Sequence, residues 1–169
     1  MMEILHINYN DIVKEIKIAR ATSSMDIEYL LDKSRGIAKK MDLLQLINPN
    51  AIINKNHIYA AYINAYMNFI ENKSVSNNIS MEFLLCLSFT NQISTAIGIS
   101  GIKRSNDFVL IASSEAILKQ FCTLTDTSAN SYEPYNNENM NAMHTFNINN
   151  IENPTKEILL KMSELKLNE

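Results

Sequence analysis

A stretch that is apolar on every side when wound as a helix has nowhere to sit except inside a protein, and this chain has one. Met81, Phe83, Leu84, Leu85, Cys86 and Leu87 follow one another with only Glu82 interrupting. Such a helix presents no face suited to water, so the rest of the fold has to wrap around it. Ser80 is placed to cap its start, and Glu82 falls in the first turn, where the positive end of the helix dipole favours an acid. The expectation is a buried central helix near 81–88 with other elements layered about it.

The clearest amphipathic helix comes just before. Ile58, Ala61, Tyr62, Ala65, Tyr66 and Phe69 fall at i, i+3, i+4, i+7, i+8 and i+11, one stripe over three turns. Phe108-Val109-Leu110-Ile111-Ala112 has the length and composition of a buried strand. Ser113 or Ser114 then starts a helix through Ala116, Ile117 and Phe121. Asn153-Pro154 combines a cap with a first-turn proline, and Ile158, Leu159, Met162 and Leu165 give the C-terminal helix one apolar stripe.

The remaining segments read as follows. Glu3–Asn8 is a first strand, and from a cap at Asn10 or Asp11 the residues Ile12, Val13, Ile16 and Ala19 keep helical spacing to about Arg20. Ser24 caps a second helix with Ile27, Leu30 and Leu31 inward, interrupted by Gly36. Leu43–Ile47 is a short apolar run stopped by the turn signal Asn48-Pro49-Asn50, and Ala51-Ile52-Ile53 is a strand stub. Thr90-Asn91-Gln92 opens a short helix with Ile93, Ala96 and Ile97 inward, ended by Gly98 or Gly101. Residues 125–141, polar and containing Pro134, form a mobile loop, and His144, Phe146 and Ile148 alternate as a last strand. Strands and helices alternating along 1–169 predict one α/β layered domain, a small sheet packed with several helices.

Charge narrows the function. Residues 1–104 carry 11 Lys/Arg against 9 Asp/Glu, while residues 105–169 carry 4 against 9, so the balance runs from +2 to −5 along the chain. That is not a basic nucleic-acid domain, and any RNA contact is local and confined to the first two-thirds. No apolar run approaches the ~20 residues of a membrane span, and the first residues have no basic-then-apolar leader pattern. Cys86 and Cys122 lie in apolar stretches without CxxC spacing and read as reduced core residues. These features together predict a cytoplasmic protein.

Motifs for catalysis are missing from the sequence. Three glycines form neither a phosphate-binding loop nor a dinucleotide fingerprint, and three histidines (His6, His57, His144) form no HExxH pair. No metal site and no cofactor are expected. Gly98-Ile99-Ser100-Gly101 has the GxxG spacing of a nucleic-acid clamp, but it reads first as a helix stop and turn before the strand at Phe108. A thiol at Cys86 among Phe83, Leu84, Leu85 and Leu87 has no charged partner nearby in sequence to activate it. A stand-alone RNA-binding module, or a small hydrolase with a site assembled in space, are the alternatives to a non-catalytic interaction subunit.

One stretch carries a family pattern. Leu46-Ile47-Asn48-Pro49 is followed by His57 heading a helix with Ala61 and Ala65, and then by Ser80-Met81-Glu82-Phe83-Leu84-Leu85. Asn91-Gln92-Ile93-Ser94, Ala96-Ile97 and Gly98-Ile99-Ser100 come next, with the apolar strand at 108–112 completing the order. Across Leu46–Ser113 the chain resembles the small kinase-binding subunit of the KEOPS tRNA-modification complex, the PRPK-binding protein family. The resemblance implies a single α/β domain without an active site. It also implies a subunit that binds and stimulates the complex's small kinase/ATPase, meets the other KEOPS subunits through it, and helps hold the tRNA 3′ end during threonylcarbamoyl-adenosine formation. Archaeal relatives often have Gly and Arg where this chain has Phe89 and Asn91.

Two sets of residues follow. Lys55 and His57 at the start of the striped helix, with Gln92, Lys103 and Arg104 around the second block, are candidate tRNA contacts, because helix starts and cations suit phosphate. For the kinase, the C-terminal helix has more apolar positions than one packing stripe needs. Leu160 and Leu167, lying off the stripe, and Ile158 and Met162 on it are the candidate docking residues.

Overall fold

The computed structural model describes residues 3–9, 12–132, 139–150 and 152–167. Its centre is a strand of 11 residues, β2 (Ile12–Thr22), in the stretch whose spacing predicts a helix. The residues proposed as that helix's cap, Asn10 and Asp11, lie outside the described residues. The reason for the difference is that both faces of this strand are covered. Ile16 and Ile18 point into one cluster of buried side chains, Ala19 and Ala21 into another, and burial is continuous from 16 to 19. A strand buried on both sides shows no alternation, and β-branched Ile12, Val13, Ile16 and Ile18 favour the extended backbone.

β2 organises the sheet. Along one edge it pairs antiparallel with β1 (Glu3–Tyr9) and, further on, with β5 (Ser128–Ser131). Along the other it pairs with β4 (Phe108–Ala112), which pairs in turn with β3 (Leu44–Ile47), giving the order β1-β2-β4-β3 with β5 beside β2. β5 stands inside the stretch 125–141 read as a loop, of which residues 133–138 lie outside the described residues. β4 is buried at all five positions, as its composition predicts.

The two sheet faces bury different helices. One holds α1 (Ile27–Ile37) and α5 (Glu115–Leu124), through Leu30, Leu118 and Phe121 against Leu46, Phe108 and Leu110. The other holds α2 (Lys55–Ile70), α3 (Ile79–Leu87), α6 (Met140–Thr145) and α7 (Pro154–Leu167), packed on Ile16, Ile18, Val109 and Ile111. The protein is an α/β layered fold, as expected, and α3 is the buried helix its composition demands. Ile79 and every residue from Glu82 to Leu87 are buried. Its cap is Asn78, whose side chain accepts from Met81 N–H, and not Ser80. The Ser80 hydroxyl instead accepts from Leu44 N–H (3.0 Å) and donates to the Asp42 carbonyl (3.0 Å), tying α3 to the sheet edge.

Other boundaries differ from expectation. α1 is capped by Asp26, not Ser24, and runs through Gly36. Pro49–Ala51 is a 3-10 turn on the expected turn signal, and Ile52 and Ile53, expected to continue a strand stub from Ala51, are not in a strand. The expected last strand at 144–148 is the end of α6 and a turn. Phe146 N–H donates to Ala142 O and Ile148 N–H to Met143 O, around Asn147 at φ 52°. Buried Phe146 and Ile148 flank exposed Asn147 because the chain turns, which imitates strand alternation.

Candidate functional site

The residues predicted to meet tRNA divide by burial. His57, in the first turn of α2, is completely buried. Its Nδ1 accepts from Ile53 N–H (3.3 Å), so the proton sits on Nε2, which donates to the Leu87 carbonyl (2.9 Å) at the end of α3. The ring stacks on Phe89 at 5.0 Å and meets Phe146 edge-on at 5.4 Å. Burial pushes its pKa down to about 3, against the smaller opposing pull of the Leu87 carbonyl. A neutral, enclosed imidazole with both nitrogens engaged cannot touch a phosphate. His57 is therefore a clip between α2 and α3 and, contrary to the expectation from sequence, is not placed to meet RNA.

Phe89, which stacks on this clip, has φ 50°, the left-handed region that β-carbons disfavour. A glycine would adopt this backbone without strain. Here the ring compensates by closing over His57 and meeting Phe146 edge-on at 5.1 Å.

The other four stand outside the core. Lys55 is the first residue of α2 and half-buried. Gln92 precedes α4 (Ile93–Ser100) and is exposed, its Oε1 accepting from the Thr95 hydroxyl (3.0 Å). Lys103 is exposed and its Nζ donates to the Gly98 carbonyl (2.5 Å), stabilising the negative end of α4, with Arg104 exposed beside it in sequence. Gly98-Ile99-Ser100-Gly101 is the last turn of α4 and its cap, not a clamping loop. Gly101 is required there by proximity, since a β-carbon would meet Ile97 O at 2.7 Å. The close approach lets Ile102 N–H reach Leu46 O (3.1 Å) and Asn48 N–H reach Ser100 O (2.9 Å) along the edge of β3.

α4 departs from its predicted orientation. Of Ile93, Ala96 and Ile97, only Ala96 is buried, and the two isoleucines are 44% and 46% exposed. α7 begins as predicted, with Asn153 Oδ1 accepting from Lys156 N–H (3.2 Å). It lies along α2, where Asn56 donates to Thr155 Oγ1 (3.0 Å) and Asn64 to Met162 Sδ (3.5 Å). Ile158 and Met162 are buried in this seam and belong to the protein's own core, so they are not surface available to a kinase. Leu160 is 53% exposed, as its place off the stripe implies, whereas Leu159, which the stripe places inward, is 53% exposed as well. The side chain of Leu167 lies outside the described residues.

One buried carboxylate has its own assignment. Glu82 Oε1 accepts from Asn68 Nδ2–H (2.8 Å) and Oε2 from Ser76 N–H (3.0 Å), so it fastens the loop before α3 to α2 as well as facing the helix dipole. Cys86 is buried, and burial raises the thiol pKa of Cys122. Among the described residues, no group of three His, Cys, Asp or Glu side chains could hold a metal ion, and no helix is long and apolar enough to cross a membrane.

A search of curated protein sequences returns no match. A family model described as kinase binding protein CGI-121 matches residues 17–153, which takes in the sheet from the middle of β2 onward and every helix except α7. That range holds the Ser80–Leu85 and Asn91–Ile97 blocks, the His57 clip and the exposed α4, and the chain belongs to the CGI-121 family of kinase-binding proteins.

Proposed function

We propose that the chain is a non-catalytic subunit of a KEOPS-type tRNA threonylcarbamoyl-adenosine complex, binding and stimulating the small kinase/ATPase and helping hold the tRNA 3′ end in the cytoplasm. The observation that carries this reading is the family match over residues 17–153. Kinase binding comes with the family. Catalytic silence is supported by the side chains that would have to react. His57 is enclosed, Glu82 is already bonded twice, and Cys86 sits among Phe83, Leu85 and Leu87.

The RNA role rests on Lys55, Gln92, Lys103 and Arg104, each at or beside the end of a helix. The kinase surface rests on Leu159 and Leu160, apolar and more than half exposed on a helix the family model does not cover. Co-expression of the chain with the small kinase is the direct test. A stable 1:1 complex that hydrolyses ATP faster than kinase alone is expected, with no hydrolysis by this chain alone. Failure of the pair to co-purify at micromolar concentration rejects the assignment.

A further inference from the structure

A cavity of about 300 Å³ opens between the last turn of α1, the outer edge of β3 and the helices α3 and α4. Its volume is at the lower end of the range for small-molecule sites. Leu44, Leu46, Leu84 and Ile102, all buried, form the inner wall, with Met81 and the half-exposed Ile97 nearer the opening.

The polar side chains of the wall are already committed inside the protein. Ser34 donates to Leu31 O (2.8 Å), and Asn78 caps Met81 N–H (2.9 Å). The Gln45 amide accepts from Leu46 N–H (3.3 Å) and donates to Ser80 O (3.2 Å), while Ser80 Oγ takes Leu44 N–H (3.0 Å). With these groups satisfied, the interior favours a hydrocarbon body over a polar one.

The mouth has the opposite character. Arg35, Lys39 and Lys40 line it, all exposed, and no Asp or Glu does. Lys40 lies over the Phe69 ring (5.9 Å), and nearby Asp42 turns its carboxylate to Lys39 N–H (3.1 Å). The Arg35 guanidinium and the Lys39 ammonium are thus the cations left to face a ligand.

We propose that this cavity binds a free small amphiphile with one anionic head, of the size of a medium-chain carboxylate. The tail lies against Leu44, Leu46, Leu84 and Ile102, and the head meets Arg35 and Lys39 at the mouth. None of the candidate RNA or kinase residues lines the cavity, although Lys103 Nζ reaches the carbonyl of its lining residue Ile97 (3.4 Å).

The test uses the whole chain labelled at its methionine methyls, with Met81 assigned through Met81→Leu, and titrates octanoate against octanol. Octanoate is expected to shift the Met81 methyl saturably and to bind several-fold tighter than octanol. Arg35→Glu with Lys39→Glu is expected to weaken octanoate about tenfold, the scale of two surface ion contacts, and to leave octanol within about twofold. Three results overturn the proposal: no saturable Met81 shift, equal affinity for the two probes, or unchanged octanoate binding in the double variant. Both substitutions are at exposed positions, so a folded variant is expected, and its melting temperature relative to wild type checks this.

Discussion

The buried interfaces of α2 with α3 and α7 and the outer edge carried by α4 hold residues that look alike in the sequence and behave oppositely in space. Each candidate set is split between buried and exposed positions. His57 and Lys103 are both candidate RNA contacts by sequence, yet one is sealed under Phe89 and Phe146 and the other lies exposed past the end of α4 with its Nζ on the Gly98 carbonyl. Ile158 and Leu160 are two residues apart on α7, yet one is fully buried and the other 53% exposed. The lesson is that residue chemistry nominates a contact, while the angle at which a helix docks decides whether the side chain is scaffold or surface.

The contrast on α7 breaks most sharply under charge. Ile158→Glu puts an unpaired carboxylate into the seam and is expected to cost about 4 kcal/mol or more in urea denaturation. Leu160→Glu is expected to stay within about 0.5 kcal/mol of wild type while weakening kinase capture by about 2 kcal/mol if the residue is central to the interface. Unfolding of the Leu160→Glu variant would instead assign this side chain to the core.

His57 gives the next largest effect. Replacing it with Gln removes the fitted ring and its two-ended bond, for an expected loss of about 3 kcal/mol at neutral pH. The acid limb is more diagnostic. Between the ordinary histidine value of 6.5 and about 3, the unfolded chain binds a proton that the folded chain refuses. The unfolded state therefore holds more protons in that window, and stability rises with pH there by up to about 1.4 kcal/mol per unit. The contribution is complete above 6.5 and drains away as pH falls toward 3. His57→Gln should lose that slope. An unchanged acid limb would place the ring in contact with water.

The smallest effect on stability is expected at the outer edge. Reversing Lys55, Lys103 and Arg104 together should change folding by about 1 kcal/mol or less. The slope of log affinity for tRNA against log salt should fall by about one for each phosphate contact removed. A slope identical to wild type would make these cations solvated surface.

What the sequence disclosed follows the same division. α2, α3, β4 and the start of α7 were legible because each carries a period or composition that one environment explains. β2 was not, since Ile12, Val13, Ile16 and Ala19 satisfy helical spacing while the strand is covered on both faces from Ile16 to Ala19. Ile93 and Ile97 misled in the other direction, because an apolar stripe on α4 stays largely exposed. Lys103 and Arg104 were legible as exposed charge, but no local pattern marks His57 as enclosed. Its partners come from residues 53, 87, 89 and 146, and only the fold brings them together.

The Glu82 carboxylate makes a clock of one amide. Ser76 belongs to the loop between α2 and α3, where backbone N–H groups ordinarily trade their hydrogen for deuterium soon after the solvent is changed. Its N–H is donated to a side chain that is itself buried in α3. Deuterium therefore reaches Ser76 only when the first turn of α3 lets go, so it should exchange at the tempo of that helix and far more slowly than its neighbours Val75 and Asn77.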